Sequence, residues 1–319
     1  MVTVIEEKEI LDIVKQVDLV KAMEEGFIQY SNGNTVVPPV GELLFEEPPG
    51  ETHIKYGYIK NRNNYTIKIA SGFPSNTAKD IPSSQGMMLL FSQKTGETKA
   101  ILLDNGKLTD LRTAAAGALV ARYFAPKSIT SVGILGAGIQ ARLQLGFLIQ
   151  ETECTSVWLW GRNVEKVKSM MGELEQELDV HLASSPAELA ANANLIVTTT
   201  PSKEPLLHEN DIRSGTHITA VGSDTAEKQE LDANILKKAD IVIADSLPQS
   251  KVRGEIYQAA KSGAISNEKP IELGSAIQSS ALQRTDDQQI TVADLTGVAV
   301  QDIMIAEAVY SQYLKQIEK

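Results

Sequence analysis

The stretch Ser131-Val-Gly-Ile-Leu-Gly-Ala-Gly-Ile-Gln-Ala141 constrains this chain more than any other. A short apolar run, Val132 to Leu135, breaks into Gly136-Ala137-Gly138-Ile139-Gln140-Ala141. An amphipathic helical pattern follows, with Leu143, Phe147 and Gln150 at helical spacing and Leu145, Leu148 and Ile149 widening the apolar face. Strand, glycine turn and helix in that order are the setting that a G-x-G-x-x-A dinucleotide fingerprint requires. Gly136 permits the tight turn, Gly138 lets a pyrophosphate reach the backbone, and Ala141 lets the helix pack close to the strand. The helix N-terminus adds N–H groups and the positive end of a dipole. A glycine-rich turn by itself occurs in many α/β proteins; the strand before it and the helix after it make this one read as a dinucleotide site.

At 319 residues the chain has room for two domains, each with its own core. A formal net charge of −11 argues against nucleic acid as a partner, which would need a basic face. The single cysteine, Cys154, excludes an internal disulfide and fits a reducing compartment. The four histidines, His53, His181, His208 and His217, stand at no metal-ligand spacing, so no metal is expected. No basic segment followed by an apolar core opens the chain, and no run of apolar residues is long enough to cross a membrane. No signal peptide, a cytoplasmic location and no membrane partner are the resulting expectations.

Taken in order, residues 1–35 read as a short strand and two helices, with Ile10, Ile13, Val14 and Val17 on one face and Leu19, Ala22, Met23 and Phe27 on the next. The prolines in Val36-Val-Pro-Pro-Val40 enforce an extended break. Residues 40–103 then alternate between short apolar runs and turn signals such as Pro48-Pro-Gly50 and Lys94-Thr-Gly96, which predicts an antiparallel sheet. An alanine-rich helix opens at Thr109, read as its N-cap. From Ser128 strands alternate with helices, the mark of a parallel sheet with crossovers. Strands are expected at 132–135, 157–160, 195–199, 217–221 and 241–244, helices at 164–177 and 186–192, and a last helix at 302–318. The fold class is therefore α/β: a Rossmann dinucleotide-binding domain over 121–299, and a mainly antiparallel α+β domain over 1–120 joined by the C-terminal helix 300–319.

Three patches stand beside the glycine loop. Lys68 interrupts the apolar strand Tyr65–Ile69, where a snorkelling lysine on an edge strand and a functional cation are both open readings. Arg112, near the start of its helix, has the fork geometry to clamp a carboxylate. Asp224 follows the strand ending at Val221, and ligands of doubly wound sheets bind outside the carboxyl ends of strands; a turn-capping aspartate is the other reading.

Together these motifs resemble the ornithine cyclodeaminase/mu-crystallin family. The resemblance covers nearly the whole chain. It is carried by Lys68-Ile-Ala-Ser-Gly-Phe73, Leu108-Thr-Asp-Leu-Arg-Thr-Ala-Ala-Ala-Gly117, the glycine loop, Thr198-Thr-Thr-Pro201, Gly222-Ser-Asp224 to Glu230, and Thr296-Gly-Val-Ala-Val-Gln-Asp302. It implies nicotinamide-dependent chemistry at the α-carbon of a small amino or imino acid, by a homodimer whose non-Rossmann domain binds substrate and dimerises. Lys68 and Arg112 would hold the substrate carboxylate, Lys68 also being a candidate proton donor, and Asp224 would be the acid/base residue. Cofactor contacts would come from Gly136, Ala137, Gly138, Ile139, Gln140, Arg112, Thr113, Gly161, Arg162, Asn163, Thr198, Thr199, Thr200, Pro201, Val221, Gly222, Ser223 and Val298.

The sequence departs from the family in one place. Many members carry an arginine just after the Pro-Pro segment as another carboxylate ligand; here Gly41 and Glu42 stand there. If Glu42 faces the substrate it favours an amine, and Lys55 replaces part of the missing charge; otherwise both are solvated strand residues. Trp158-Leu-Trp-Gly-Arg-Asn163 ends the second strand without the acid that would bind an NAD ribose, and Arg162 can pair with a 2′-phosphate, which favours NADP(H) with NAD(H) possible. An imine reductase or amino-acid dehydrogenase is the leading reading. A cyclodeaminase releasing ammonia from a diamino acid with recycled cofactor is the second, a role in breaking down a compatible solute such as ectoine is a related one, and a non-catalytic nucleotide-binding protein is the third.

Overall fold

The computed structural model describes residues 2–318. The chain divides into two compact units: residues 1–112 with 298–319, and residues 113–297. The boundaries fall inside a helix and just before the last one, where the sequence placed them at 120/121 and 299/300.

In the first unit, β1 (Thr3–Glu6) leads into α1 (Glu7–Val14) and α2 (Leu19–Ser31), whose N-terminus is capped by the Asp18 carboxylate accepting from the Lys21 N–H at 2.9 Å. Then come β2 (Thr35–Val36), β3 (Gly41–Glu46), β4 (Pro49–Ile59), β5 (Asn64–Gly72), β6 (Ser84–Ser92) and β7 (Thr98–Leu103). They form a sheet in the order β1-β7-β6-β5-β4-β2, with β3 on β4. The 40–103 strands are antiparallel as expected; only β1 pairs in parallel, on β7. The helix α3 (Lys107–Phe124) begins two residues before Thr109, so Thr109 is not its N-cap. The first-turn N–H of Leu108 is instead taken by the buried Asp104 carboxylate at 2.8 Å.

Strand alternation sorts this sheet into two faces. Lys55, Lys68, Met88 and Leu102 are cross-strand partners in one row, and all four are buried. The final helix, α10 (Ala299–Ile317), belongs to this unit and meets that face; it starts three residues earlier than its apolar spacing suggested. The opposite row, Tyr56, Ile67, Leu89 and Ile101, is apolar yet half-buried or exposed.

The second unit continues with β8 (Val132–Leu135), α4 (Ile139–Thr152), β9 (Ser156–Trp160), α5 (Val164–Leu174), β10 (Asp179–Leu182), α6 (Pro186–Asn192), β11 (Leu195–Thr198) and β12 (His217–Ala220). It is completed by α7 (Ala233–Lys238), β13 (Ile241–Ala244), α8 (Gly254–Lys261), β14 (Ile271–Glu272), α9 (Leu273–Ile277) and β15 (Thr291–Asp294). The eight strands are all parallel, in the order β10-β9-β8-β11-β12-β15-β13-β14. Every residue of β8, β11 and β13 is buried, as helices on both faces of a parallel sheet require. The chain leaves β8 for β9 and β10, then returns to β11 on β8's other side. That reversal opens a crevice at the carboxyl ends of β8 and β11.

Three strands escaped the sequence pattern: β10, β14 and the central β15. The buried face of α4 also differs from the expected one. It consists of Ala141, Gln144, Leu145 and Leu148, while Leu143 and Phe147 are half-buried and Gln150 is exposed. The Gln144 amide donates to the Thr113 carbonyl at 3.1 Å, and its oxygen sits where a Cβ on Gly117 would lie, 1.9 Å away, so a polar residue holds the helix where an apolar one was expected.

Candidate active site

The crevice after β8 is walled by Gly136, Ala137, Gly138, Trp160, Gly161, Arg162, Asn163, Lys166, Thr199, Thr200, Pro201, Ser202 and Leu206. Gly136 is fixed by the fold: φ is 129°, and a Cβ there would lie 2.2 Å from Thr199 Oγ1. Gly138 is not. Its φ of −90° and ψ of −167° suit any residue, and a Cβ on it would meet nothing within 4 Å. Gly138 caps α4 without any side-chain hydrogen bond, and the space beside its Cα is open. A bare backbone and an uncapped helix end together fit a pyrophosphate. Gly138→Asp separates the two roles of this position. Aspartate is a better N-cap than glycine, so the thermal midpoint is expected to hold or rise, while calorimetric titration with NADPH or NADH loses all binding to the new charge.

The other sequence-assigned cofactor residues divide. Thr199, Thr200 and Pro201 line the crevice, with Gly161, Arg162 and Asn163 opposite. Asn163 spends its side chain capping α5, accepting from the Lys166 N–H at 3.0 Å. Among the described residues Arg162 and Lys166 make no side-chain hydrogen bond or ion pair; both are exposed at the crevice edge. Ile139 is exposed and Gln140 half-buried at the start of α4. Thr198 does not reach the crevice: it is fully buried and donates to Glu230 at 2.7 Å. Val221, Gly222 and Ser223 are likewise no part of the crevice wall, Ser223 being turned inward to donate to the Lys228 carbonyl at 2.7 Å. Val298 is buried at the start of α10, and Thr113 gives its carbonyl to Gln144.

Asp224 lies on the loop after β12, its side chain 45% exposed and paired with Lys228 Nζ at 2.6 Å. Trp160, Lys166, Ser202 and Leu206 line the crevice in addition to the expected cofactor residues. Lys166 had a legible signal, one helical turn from Arg162 at the N-terminus of α5.

In the first unit, Lys68 is 2% exposed on an interior strand, which removes the edge-strand reading. Its Nζ lies 3.2 Å from Asp302 Oδ2, and Arg112 Nε donates to Asp302 Oδ1 at 3.1 Å. Arg112 Nη1 donates to Gln301 Oε1 at 2.8 Å. Arg112 is thus held by α10, within the unit that carries Lys68. Burial pushes Lys68 down to about 8 against the attraction of Asp302, and Arg112 lowers it further. Burial would raise Asp302, but Lys68, Arg112 and Lys55 outweigh it and hold its carboxyl below the usual range. Burial raises Asp104 to about 6, against the Leu108 N–H and the nearby Lys68. Glu42 and Lys55 both lie on the Lys68 face: Lys55 is buried directly across from Lys68, and Glu42 pairs with His53 across β3 and β4 at 2.8 Å. Among the described residues no group of three or more histidine, cysteine or acidic side chains is arranged to hold a metal.

The ornithine cyclodeaminase/mu-crystallin family model matches residues 1–316. The chain belongs to that family. A Sinorhizobium fredii protein named as an uncharacterised cyclodeaminase is 38% identical over 97% of this chain and 95% of its own length. An archaeal alanine dehydrogenase, solved as a dimer with bound NAD, superposes with a TM-score of 0.90 at 31% identity, over 99% of this chain and 97% of that one. The iminosuccinate reductase of Paracoccus denitrificans, solved with NAD+, gives 0.89 at 29% identity, over 99% and 97%. The mixed α/β fold, a Rossmann domain with a second domain, is the one these structures share.

Asp302 and Gln301, at the end of the Thr296–Asp302 motif, join the cluster of Lys68 and Arg112 without a role expected from the sequence. The signal was there: Asp302 sits among Val300, Ile303, Met304 and Ile305, all buried, and a carboxylate in such a run needs a cation.

Proposed function

We propose that this chain is an NAD(P)(H)-dependent oxidoreductase that reduces a small α-imino acid, or oxidises the matching α-amino acid, at the α-carbon. The observation that carries the reading is the buried cation set of the first unit. Among the described residues Lys55, Lys68 and Arg112 supply three buried positive charges against two buried carboxylates, Asp302 and Asp104, an excess of one. One substrate carboxylate balances it, and the rigid Arg112 fork fixes its orientation. The nicotinamide supplies the hydride when bound. Lys68, near neutrality in its proton affinity, can donate a proton as well as hold the carboxylate, and Asp224 serves as the acid/base group at nitrogen.

The test is reductive turnover with NADPH and NADH against pyruvate plus ammonia or methylamine, cyclic ketimines, and oxaloacetate plus ammonia, followed by loss of the reduced-nicotinamide absorbance. Stoichiometric consumption supports the proposal. Ammonia release from ornithine or diaminobutyrate without net consumption supports the cyclodeaminase reading instead. Glu42 on the Lys68 face, where it suits a distal amine, is the observation that keeps that reading.

For the cofactor, Arg162 and Lys166 at the crevice edge favour a 2′-phosphate, hence NADP(H) over NAD(H). Arg162→Ala is expected to weaken NADPH binding about tenfold or more, the worth of a charge-assisted hydrogen bond, and to leave NADH binding within twofold. Equal effects on both cofactors would remove the preference. The apolar outer row of the first unit's sheet supports a homodimer, which light scattering of the purified protein tests.

Lys68 also sets a pH limit. As pH rises through about 8, the free enzyme loses the Lys68 charge, so kcat/KM is expected to fall by about tenfold per unit above that point. Stability moves the other way. The unfolded chain keeps this proton up to about 10.5, so between those values folding gains stability with rising pH. A flat kcat/KM from pH 7 to 9.5 would remove Lys68 from substrate binding.

A further inference from the structure

We infer that Glu230 is the positioning residue of the dinucleotide crevice: its ionised carboxylate ties the strand-end loop that lines the crevice to the loop after the neighbouring strand. The inference rests on the proposed cofactor binding. Glu230 touches no crevice surface and is fully buried. Its Oε1 accepts from the Thr200 N–H at 2.6 Å and the Thr200 hydroxyl at 2.7 Å. Its Oε2 accepts from the Thr198 hydroxyl at 2.7 Å and the Gly222 N–H at 3.0 Å.

Four donors converge on one side chain, from the end of β11 and the end of β12. The approach is so close that a Cβ on Gly222 would lie 2.1 Å from the Thr200 carbonyl and 2.6 Å from Glu230 Oε2. Thr200 is crevice wall, and its neighbour Thr199 donates to the Leu135 carbonyl at 3.0 Å, at the root of the glycine loop. A shift of Glu230 is therefore passed to the glycine loop and the wall facing it.

Only the carboxylate can do this. All four contacts are donors, so the carboxylate satisfies each, whereas a carboxylic acid or an amide turns one position into a donor. The Thr198 or Thr200 hydroxyl can rotate to accept, but the backbone N–H groups of Thr200 and Gly222 cannot. The surroundings leave this charge near its limit. Burial raises Glu230 to about 7 against the Thr200 and Thr198 hydroxyls and the two N–H groups. The titratable neighbours are acidic: Glu255 of α8, which accepts the Glu230 N–H at 2.6 Å, and Asp294 at the end of β15, itself raised by burial and by Asp245 and Glu230. Protonation of Glu230 is thus expected to loosen the crevice in mildly acidic solution.

The experiment is NADPH and NADH affinity of the whole protein between pH 6 and 8.5, read as quenching of tryptophan fluorescence, since Trp160 lies in the crevice wall. In the natural chain affinity should fall as pH drops through neutrality. Glu230→Gln should bind about tenfold more weakly at pH 8, with the pH dependence gone. Thr198→Val removes one donor with little change of shape and should move the inflection to higher pH, which keeps the test open if Glu230→Gln fails to fold. A Glu230→Gln affinity within twofold of the natural chain, or an unmoved pH profile in either variant, overturns the inference. Failure of the natural chain to bind either nucleotide overturns the proposed function and this inference with it.

Discussion

Asp302→Ala is expected to destabilise the folded chain by about 3–5 kcal/mol, the usual cost of stripping one partner from a buried charge network. The carboxylate is 1% exposed, with Lys68 Nζ at 3.2 Å and Arg112 Nε at 3.1 Å. Lys55 also acts on it, so alanine removes the carboxylate that offsets three buried cations. Urea unfolding measures the loss at pH 7.5. Because the folded Asp302 holds its proton less tightly than the unfolded one, its contribution is present above the ordinary carboxyl range and is lost as pH falls through the folded value. The natural chain should therefore weaken in acid more steeply than the variant. Pairing Asp302→Leu with Lys68→Met is expected to recover part of the stability, because it removes one of the buried cations together with the carboxylate and leaves fewer like charges facing one another, while substrate binding stays lost. A single variant within about 0.5 kcal/mol of the natural chain would mean that solvent reaches these cations and that the site is not a dry carboxylate pocket.

What the sequence made legible follows from how local the physics is. The β8 turn and α4 could be read because an apolar run, two glycines and an amphipathic segment lie within about twenty residues of one another. The strands β8 and β13 matched their expected bounds, since contiguous apolar residues in a parallel sheet need no partner to be recognised. The strand β15 lies between β12 and β13, yet two of its four residues, Thr291 and Asp294, are polar, so it carries too little apolar signal. The start of α3 was missed because Asp104, which takes the Leu108 N–H, stands outside the helix and reads as a turn residue. Asp302 and Glu230 were missed for one reason: each is a carboxylate whose meaning lies in partners distant in sequence, Lys68 and Arg112 for the first, the Thr198 and Thr200 hydroxyls for the second. Lys68, Arg112 and Lys55 were legible as residues, but their assembly on one face depended on strand register, which the sequence leaves open.

Asp224→Asn carries the second large effect. Under the proposed function Asp224 moves the proton at the substrate nitrogen, and an amide can neither accept nor give it. Turnover is therefore expected to fall by about 10²–10⁴, the usual worth of a positioned acid or base. The folding cost should be small: Asp224 sits on a loop with its side chain 45% exposed, and its ion pair with Lys228 at 2.6 Å is a partly solvated one of modest value. Dinucleotide affinity should stay within twofold, because Asp224 is no part of the crevice wall and the Glu230 contacts that hold that wall are untouched. Lys228→Met separates charge balance from chemistry. It removes one charged partner of Asp224 but keeps the carboxylate, so kcat should change by less than tenfold. The decisive comparison is kcat against cofactor affinity in Asp224→Asn. Loss of the first with the second intact supports Asp224 as the acid/base group. Full turnover would assign the proton to another residue, and Lys68, with its proton affinity already brought down to about 8, would be the next to replace.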